Sequence, residues 1–218
     1  MRVVCALVVS LASPFALAAS VAGKVTYDGP PPQPTVLVTH DVRVCGRSLP
    51  NESVIAHDGA LKNVVVWIEG AKGTVAPGEA LLDQKGCLYV PHVMAVPVGT
   101  TLAINNGDNV LHNVHVYNKE ESVLNYALPI VNRPRKAKLE KAGILNAKCD
   151  AGHAWMEAYI HVFDHPFFAV TGENGKFEIK ELPPGHYSLV VWHEALGEQR
   201  FEVDVKDGTR TQDVTFKK

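Results

Sequence analysis

Residues Lys148 to Met156 read K-C-D-A-G-H-A-W-M. Cys149, His153 and Met156 thus fall within eight residues. A thiolate, an imidazole and a thioether together suit copper cycling between Cu(I) and Cu(II) better than zinc or magnesium. A lone Cys, His or Met is usually core or surface, but three such donors in one short loop point to a metal site. A fourth ligand must come from elsewhere. His112, in N-N-G-D-N-V-L-H-N-V-H-V (Asn105 to Val116), is the best candidate.

The segments around this loop read as short strands. Gly99 and Gly107 punctuate Cys87–Tyr89, Val93–Val96, Thr101–Asn105 and His112–Val116. Ala142–Ala147 is expected to deliver Cys149, and Glu157–Phe163 (E-A-Y-I-H-V-F) alternates as the strand leaving the loop. Residues 117–143 carry a charged run, R-P-R-K-A-K-L-E-K, that reads as an exposed helical turn or a solvated loop.

The order His, then Cys, His and Met near the end of a β-domain resembles the cupredoxins, over roughly residues 80–163. Pro91 to Asn105 is similar to the segment leading into the first histidine of that family. The resemblance implies a Greek-key β-sandwich holding one copper ion on His112, Cys149, His153 and Met156. It also implies single-electron transfer to a protein redox partner such as a cytochrome or a dehydrogenase. Asn113 would tie the two ligand loops together by hydrogen bonds. His115 is the alternative axial ligand, although in a strand it faces the side opposite His112.

Plastocyanins space these ligands Cys-x2-His-x4-Met, whereas this loop is Cys-x3-His-x2-Met. The latter matches part of the dinuclear loop of cytochrome oxidase subunit II. That motif's additional cysteine would fall at Leu145, so a mononuclear site is expected.

The tail has a different character. Thr171–Val191 reads T-G-E-N-G-K-F-E-I-K-E-L-P-P-G-H-Y-S-L-V-V, with E-N-G as a hairpin signal and P-P-G as a second tight turn. It resembles the carboxypeptidase-regulatory-like, transthyretin-like β-sandwich over residues 168–218. Such sandwiches open with strands that this tail lacks; residues 19–70 offer them in Gly23–Tyr27 and Asn63–Ile68, the latter within a stretch that reads as one β-branched strand, Leu61–Ile68 (L-K-N-V-V-V-W-I). The expected fold is therefore all-β, with two sandwiches. The cupredoxin-like unit is either inserted into the second sandwich or placed beside it in sequence, and pairing of Val25 with the C-terminal segment would separate the two arrangements. Val36–Thr39 reads as a short strand, and residues 40–60 as polar loops. The whole-chain pattern is similar to exported, plastocyanin-like bacterial proteins of the methylamine-utilisation type.

Residues 1–18 read as a secretory signal: Arg2, an apolar run from Val3 to Ala12, and a small-residue site at Ala16-Leu17-Ala18. Pro14 interrupts the apolar run, so an anchor is disfavoured. A periplasmic or secreted product without a membrane span is expected. Beyond the signal, 20 basic and 23 acidic side chains give a net charge of −3, which excludes a nucleic-acid footprint and a polybasic membrane patch.

Three cysteines remain: Cys45, Cys87 and Cys149. In an oxidising compartment two should pair. With Cys149 in the metal loop, Cys45 and Cys87 are the natural pair. His92, His161 and His165 read as structural. His193 and Glu194, in W-H-E, are chemically capable but have no partner in view.

No Gly-x-Ser-x-Gly, His-Glu-x-x-His or phosphate loop occurs, so hydrolase or kinase chemistry has no support and an enzyme is not expected. Two rival functions use the same features. One is a copper carrier with an exposed Cu(I) site, and the other a metal-free module binding carbohydrate or protein.

Overall fold

The computed structural model describes residues 19–218; the expected export signal lies outside the described residues. The described residues are almost entirely β-sheet and connecting loops, with one helical turn among them at Val42–Cys45. Its strands build two separate apolar cores.

One core lies between a five-stranded and a four-stranded sheet. The first has Glu121–Leu128, His112–Asn118, Gly143–Lys148, Glu157–Phe163 and Val93–Pro97 in that order. The second has Arg135–Lys138, Thr101–Ile104, Glu79–Gln84 and Tyr89–Val90. Leu82, Leu102, Ile104, Val114, Val116 and Ile160 fill the space between them. Alternation places these residues inward and their neighbours outward, as the period of a strand requires.

The other core draws on both ends of the described chain. The strand Ala19–Asp28 pairs antiparallel with Lys176–Leu182 and parallel with Val214–Lys217, with Val25 opposite Val214. Gly23 permits this crowding, since a Cβ there would lie 1.9 Å from the Gln212 carbonyl oxygen. Facing this sheet are Phe168–Val170, Val65–Ile68, Gly185–His193 and Gly197–Val205. Val21, Leu61, Ile179, Leu189 and Phe216 pack between the two.

Several strand expectations change. The charged run contains the strand Arg135–Lys138, antiparallel to Thr101–Ile104, not a helical turn or loop. It is an edge strand, and edges carry exposed Lys and Arg because these discourage pairing with a second chain. Glu121–Leu128, upstream of the charged run, forms a hairpin with His112–Asn118. Residues 40–60 are not all loop: Ser48–Pro50 pairs with Thr35–Leu37, and Ala56–His57 pairs with Ala60–Leu61. The second hairpin turns at Asp58-Gly59, both with positive φ, as a two-residue turn of this kind requires.

Leu61–Ile68 is not one strand. Asn63 adopts φ 62°, and the chain passes there from one sheet to the other. E-N-G and P-P-G are likewise tight turns that carry the chain between sheets, so neither closes a hairpin.

An aromatic cluster joins the two cores. The His161 ring lies 4.5 Å from Trp192 and 5.8 Å from Trp67, and Trp67 lies 5.7 Å from Phe163. Both His161 ring nitrogens are buried without a hydrogen-bond partner. Burial pushes the His161 pKa down to about 3, whereas an unfolded histidine titrates near 6.5. Between those values the unfolded chain binds more protons, so this group's contribution to stability is lost as pH falls from about 6.5 towards 3. His193, with its pKa lowered to about 4 by burial and by His92, adds in the same direction. His161→Phe is expected to flatten the acid limb of stability against pH by up to ~1.4 kcal/mol per pH unit. Urea unfolding at neutral and acidic pH measures this slope, and an unchanged slope would contradict the assignment.

Candidate metal centre

His112 opens the strand His112–Asn118, and Cys149 follows the last residue of Gly143–Lys148. These strands are antiparallel neighbours with His115 opposite Lys148, so the two donors emerge at the same end of the sheet. The loop from Cys149 then carries His153 inward before Glu157–Phe163 returns.

His112, Cys149 and His153 each place a ligand atom within 4.8 Å of the others. The two Nδ1 atoms are 3.0 Å apart, and Cys149 Sγ is 3.5 Å from His153 Nδ1. Both imidazoles are completely buried. Met156 is buried in the same apolar cluster as Cys149, and its N–H donates to the His153 carbonyl, closing the loop.

The outer nitrogens of both rings meet carboxylates. His112 Nε2 is 3.1 Å from Asp108 Oδ2, and His153 Nε2 is 2.9 Å from Asp41 Oδ2. With each Nε2–H donated outward, the two Nδ1 lone pairs face each other and the cysteine sulfur. Only the thiol proton is then left to serve these three buried groups, and a cation in its place would satisfy all of them. A carboxylate behind each imidazole is also the usual way of orienting a metal-binding histidine. The donors present therefore fit a copper ion.

Burial shifts both titratable donors towards their neutral forms. Burial lowers the His112 pKa, opposed by Asp108. Burial raises that of the Cys149 thiol, opposed by the N–H groups of Asn113, Ala151 and His153. The neutral forms of both residues are thus favoured without metal, and binding would displace the thiol proton.

Asn113 links the ligand segments. Its N–H donates to Cys149 Sγ at 3.4 Å, its Oδ1 accepts from the Asp150 N–H at 3.1 Å, and its Nδ2 donates to Asn125 Oδ1 at 2.6 Å. His115 is elsewhere. It contacts Asp150 and Ser122, with Tyr117 stacked on its ring, on the other face of the strand.

Cys45 and Cys87 form a disulfide, and Cys149 is free and buried. Cross-linking residues 42 positions apart stabilises the fold by about 4 kcal/mol in the chain-entropy model. The bond fastens the Val42–Cys45 turn over the site, where Asp41 reaches His153. Gly152, at φ 93°, leaves room for His40, whose ring lies 3.2 Å from the position a Cβ would take.

Asp41 was not legible as a site residue. It is distant in sequence, and the disulfide brings it near. Asp108 lies within the quoted stretch before His112, but its role depends on the turn geometry. It also accepts the Cys87 N–H at 2.7 Å. Cys87, Asp108 and His112 cluster as well, but the Cys87 sulfur is committed to the disulfide.

No protein-family model and no curated protein matches this chain. Among solved structures, a purple cupredoxin from Nitrosopumilus maritimus is 21% identical, covering 39% of this chain and 99% of its own, with a TM-score of 0.34. A copper-containing nitrite reductase from Thermus scotoductus SA-01 is 23% identical, covering 43% of this chain and 24% of its own, with a TM-score of 0.35. A reduced Cu(I) amicyanin variant is 21% identical, covering 45% of this chain and 98% of its own, also with a TM-score of 0.35. Among the described residues, no helix is long and apolar enough to cross a membrane.

Asn113→Ala removes both side-chain hydrogen bonds and leaves the Asp150 N–H without its acceptor. The variant is expected to lose about 1–3 kcal/mol of stability in the metal-free form. Urea unfolding measures this, and a wild-type midpoint would contradict the linking role.

Proposed function

We propose that the chain is an exported copper protein that carries single electrons. The convergence of two carboxylate-backed imidazoles on one buried thiol carries this reading. His112, Cys149 and His153 would supply the three strong donors to one ion, with Met156 as a weaker fourth donor. Copper would supply the one-electron change between Cu(I) and Cu(II).

The chain's own residues would do the rest. Asp108 and Asp41 hold the imidazole orientations, while Asn113 fixes the loop spacing and directs an N–H at the sulfur. The disulfide-tethered turn excludes water. Such fixed surroundings limit the rearrangement between oxidation states and tune the potential.

Complete burial of both imidazoles favours electron transfer over a copper carrier, which would need an open site for exchange. Leu111, beside His112, and Val42 and Val44, beside Asp41, are exposed. They offer apolar surface for a protein redox partner. The second sandwich is read as the transthyretin-like kind, interrupted by residues 80–163, and supported by the pairing of Val25 with Val214. It is assigned no catalysis.

Adding Cu(II) to the metal-free protein should produce an intense visible thiolate charge-transfer band, and Cys149→Ser should abolish it. Absorption spectroscopy under oxidising conditions checks this. A wild-type protein without the band, or a variant that keeps it, would overturn the site.

A further inference from the structure

Glu52, His92 and Glu194 come from three distant segments and line one cavity of about 150 Å3, together with Trp155 and Glu157. Glu52 follows Ser48–Pro50, His92 precedes Val93–Pro97, and Glu194 follows Gly185–His193. The His92 side chain is only 7% exposed, and Nε2 contacts Glu194 Oε1, itself on a buried side chain. Nδ1 is buried without a hydrogen-bond partner. It faces Glu52 Oε2 at 3.7 Å, beyond hydrogen-bond reach.

This arrangement is costly as it stands. A buried ring nitrogen lacks a partner, and two carboxylates flank one imidazole. Burial raises the Glu52 pKa, with His92 and Lys62 opposing. Burial lowers that of His92, but Glu194, Glu52 and the Glu157 backbone together outweigh it and the net direction is upward. Glu157 is partly answered by Lys148 at 3.7 Å, whereas Glu52 and Glu194 both face the one imidazole, which can carry only a single positive charge.

We propose that this cavity is a second cation site, in which His92 Nδ1 and Glu52 ligate a divalent ion of the zinc type and Glu194 positions the imidazole. Adjacent ligand atoms of a tetrahedral zinc ion lie about 3.3 Å apart, close to the 3.7 Å between these two. A carboxylate on the opposite ring nitrogen is the usual support for a ligating histidine. The cavity has room for an ion and the waters completing its coordination, and Glu157 stands on its wall. Two carboxylates match the charge of a divalent ion, whose binding would displace any proton on His92 Nδ1 to solvent. Bound there, the ion would fasten the segment after Ser48–Pro50 to both packed bodies. It shares no ligand with the cysteine cluster, although Trp155 lines the cavity and also packs against His153.

The site is tested by equilibrium dialysis of the folded, disulfide-bonded chain against Zn2+, with metal analysis of wild type, His92→Gln, Glu52→Gln and Cys149→Ser. His92→Gln and Glu52→Gln should each lose one zinc equivalent or bind it at least ~10-fold more weakly, while Cys149→Ser retains it. Glu52→Gln leaves the His92–Glu194 contact in place, and circular dichroism verifies the fold. Unchanged zinc binding in both substituted cavities overturns the proposal. So does loss of the same equivalent in Cys149→Ser, or no zinc uptake by wild type, which would leave His92 a protonated link between two carboxylates. Absence of the copper charge-transfer band would count only against the cysteine cluster.

Discussion

The candidate centre depends on one register. With His115 opposite Lys148, the strand beginning at His112 and the strand ending before Cys149 bring an imidazole and a thiol to the same end of one sheet. A one-residue slip would turn every side chain of one strand to the other face. Buried Val114, Val116 and Ala147 resist such a slip by filling the core from the correct side. Asn113 then adds three hydrogen bonds, two of them across the ligand segments. Hydrophobic packing sets the placement, and polar links refine it.

Cys87 connects this placement to the covering turn. Its sulfur joins Cys45, its N–H binds Asp108 behind His112, and its carbonyl accepts the Trp155 indole N–H at 2.9 Å. Trp155 packs on His153, with ring centroids 5.2 Å apart. One residue therefore touches the support of both imidazoles. The disulfide acts on site geometry as well as on chain entropy.

Legibility followed the range of each interaction. The free Cys149 and the strand Glu157–Phe163 could be read directly, because the short loop around the cysteine and two-residue alternation are local. The Asp58-Gly59 hairpin was equally local; its turn signal stood within a polar stretch read as loop. Arg135–Lys138 was hidden because an exposed edge strand has the composition of a solvated loop. The break at Asn63 was hidden by β-branched residues on its C-terminal side, where only a positive φ marks the crossing between sheets. Asp41 and the His92–Glu194 contact depend on segments far apart in sequence. W-H-E therefore offered chemistry with no visible partner, and only tertiary packing supplied one.

The central claim is that the cluster of His112, Cys149 and His153 exists to hold copper. Elemental analysis of the protein purified from its native source without added metal tests this most directly. The account requires close to one copper per chain. Folded protein with an intact Cys149 thiol and no copper would contradict it.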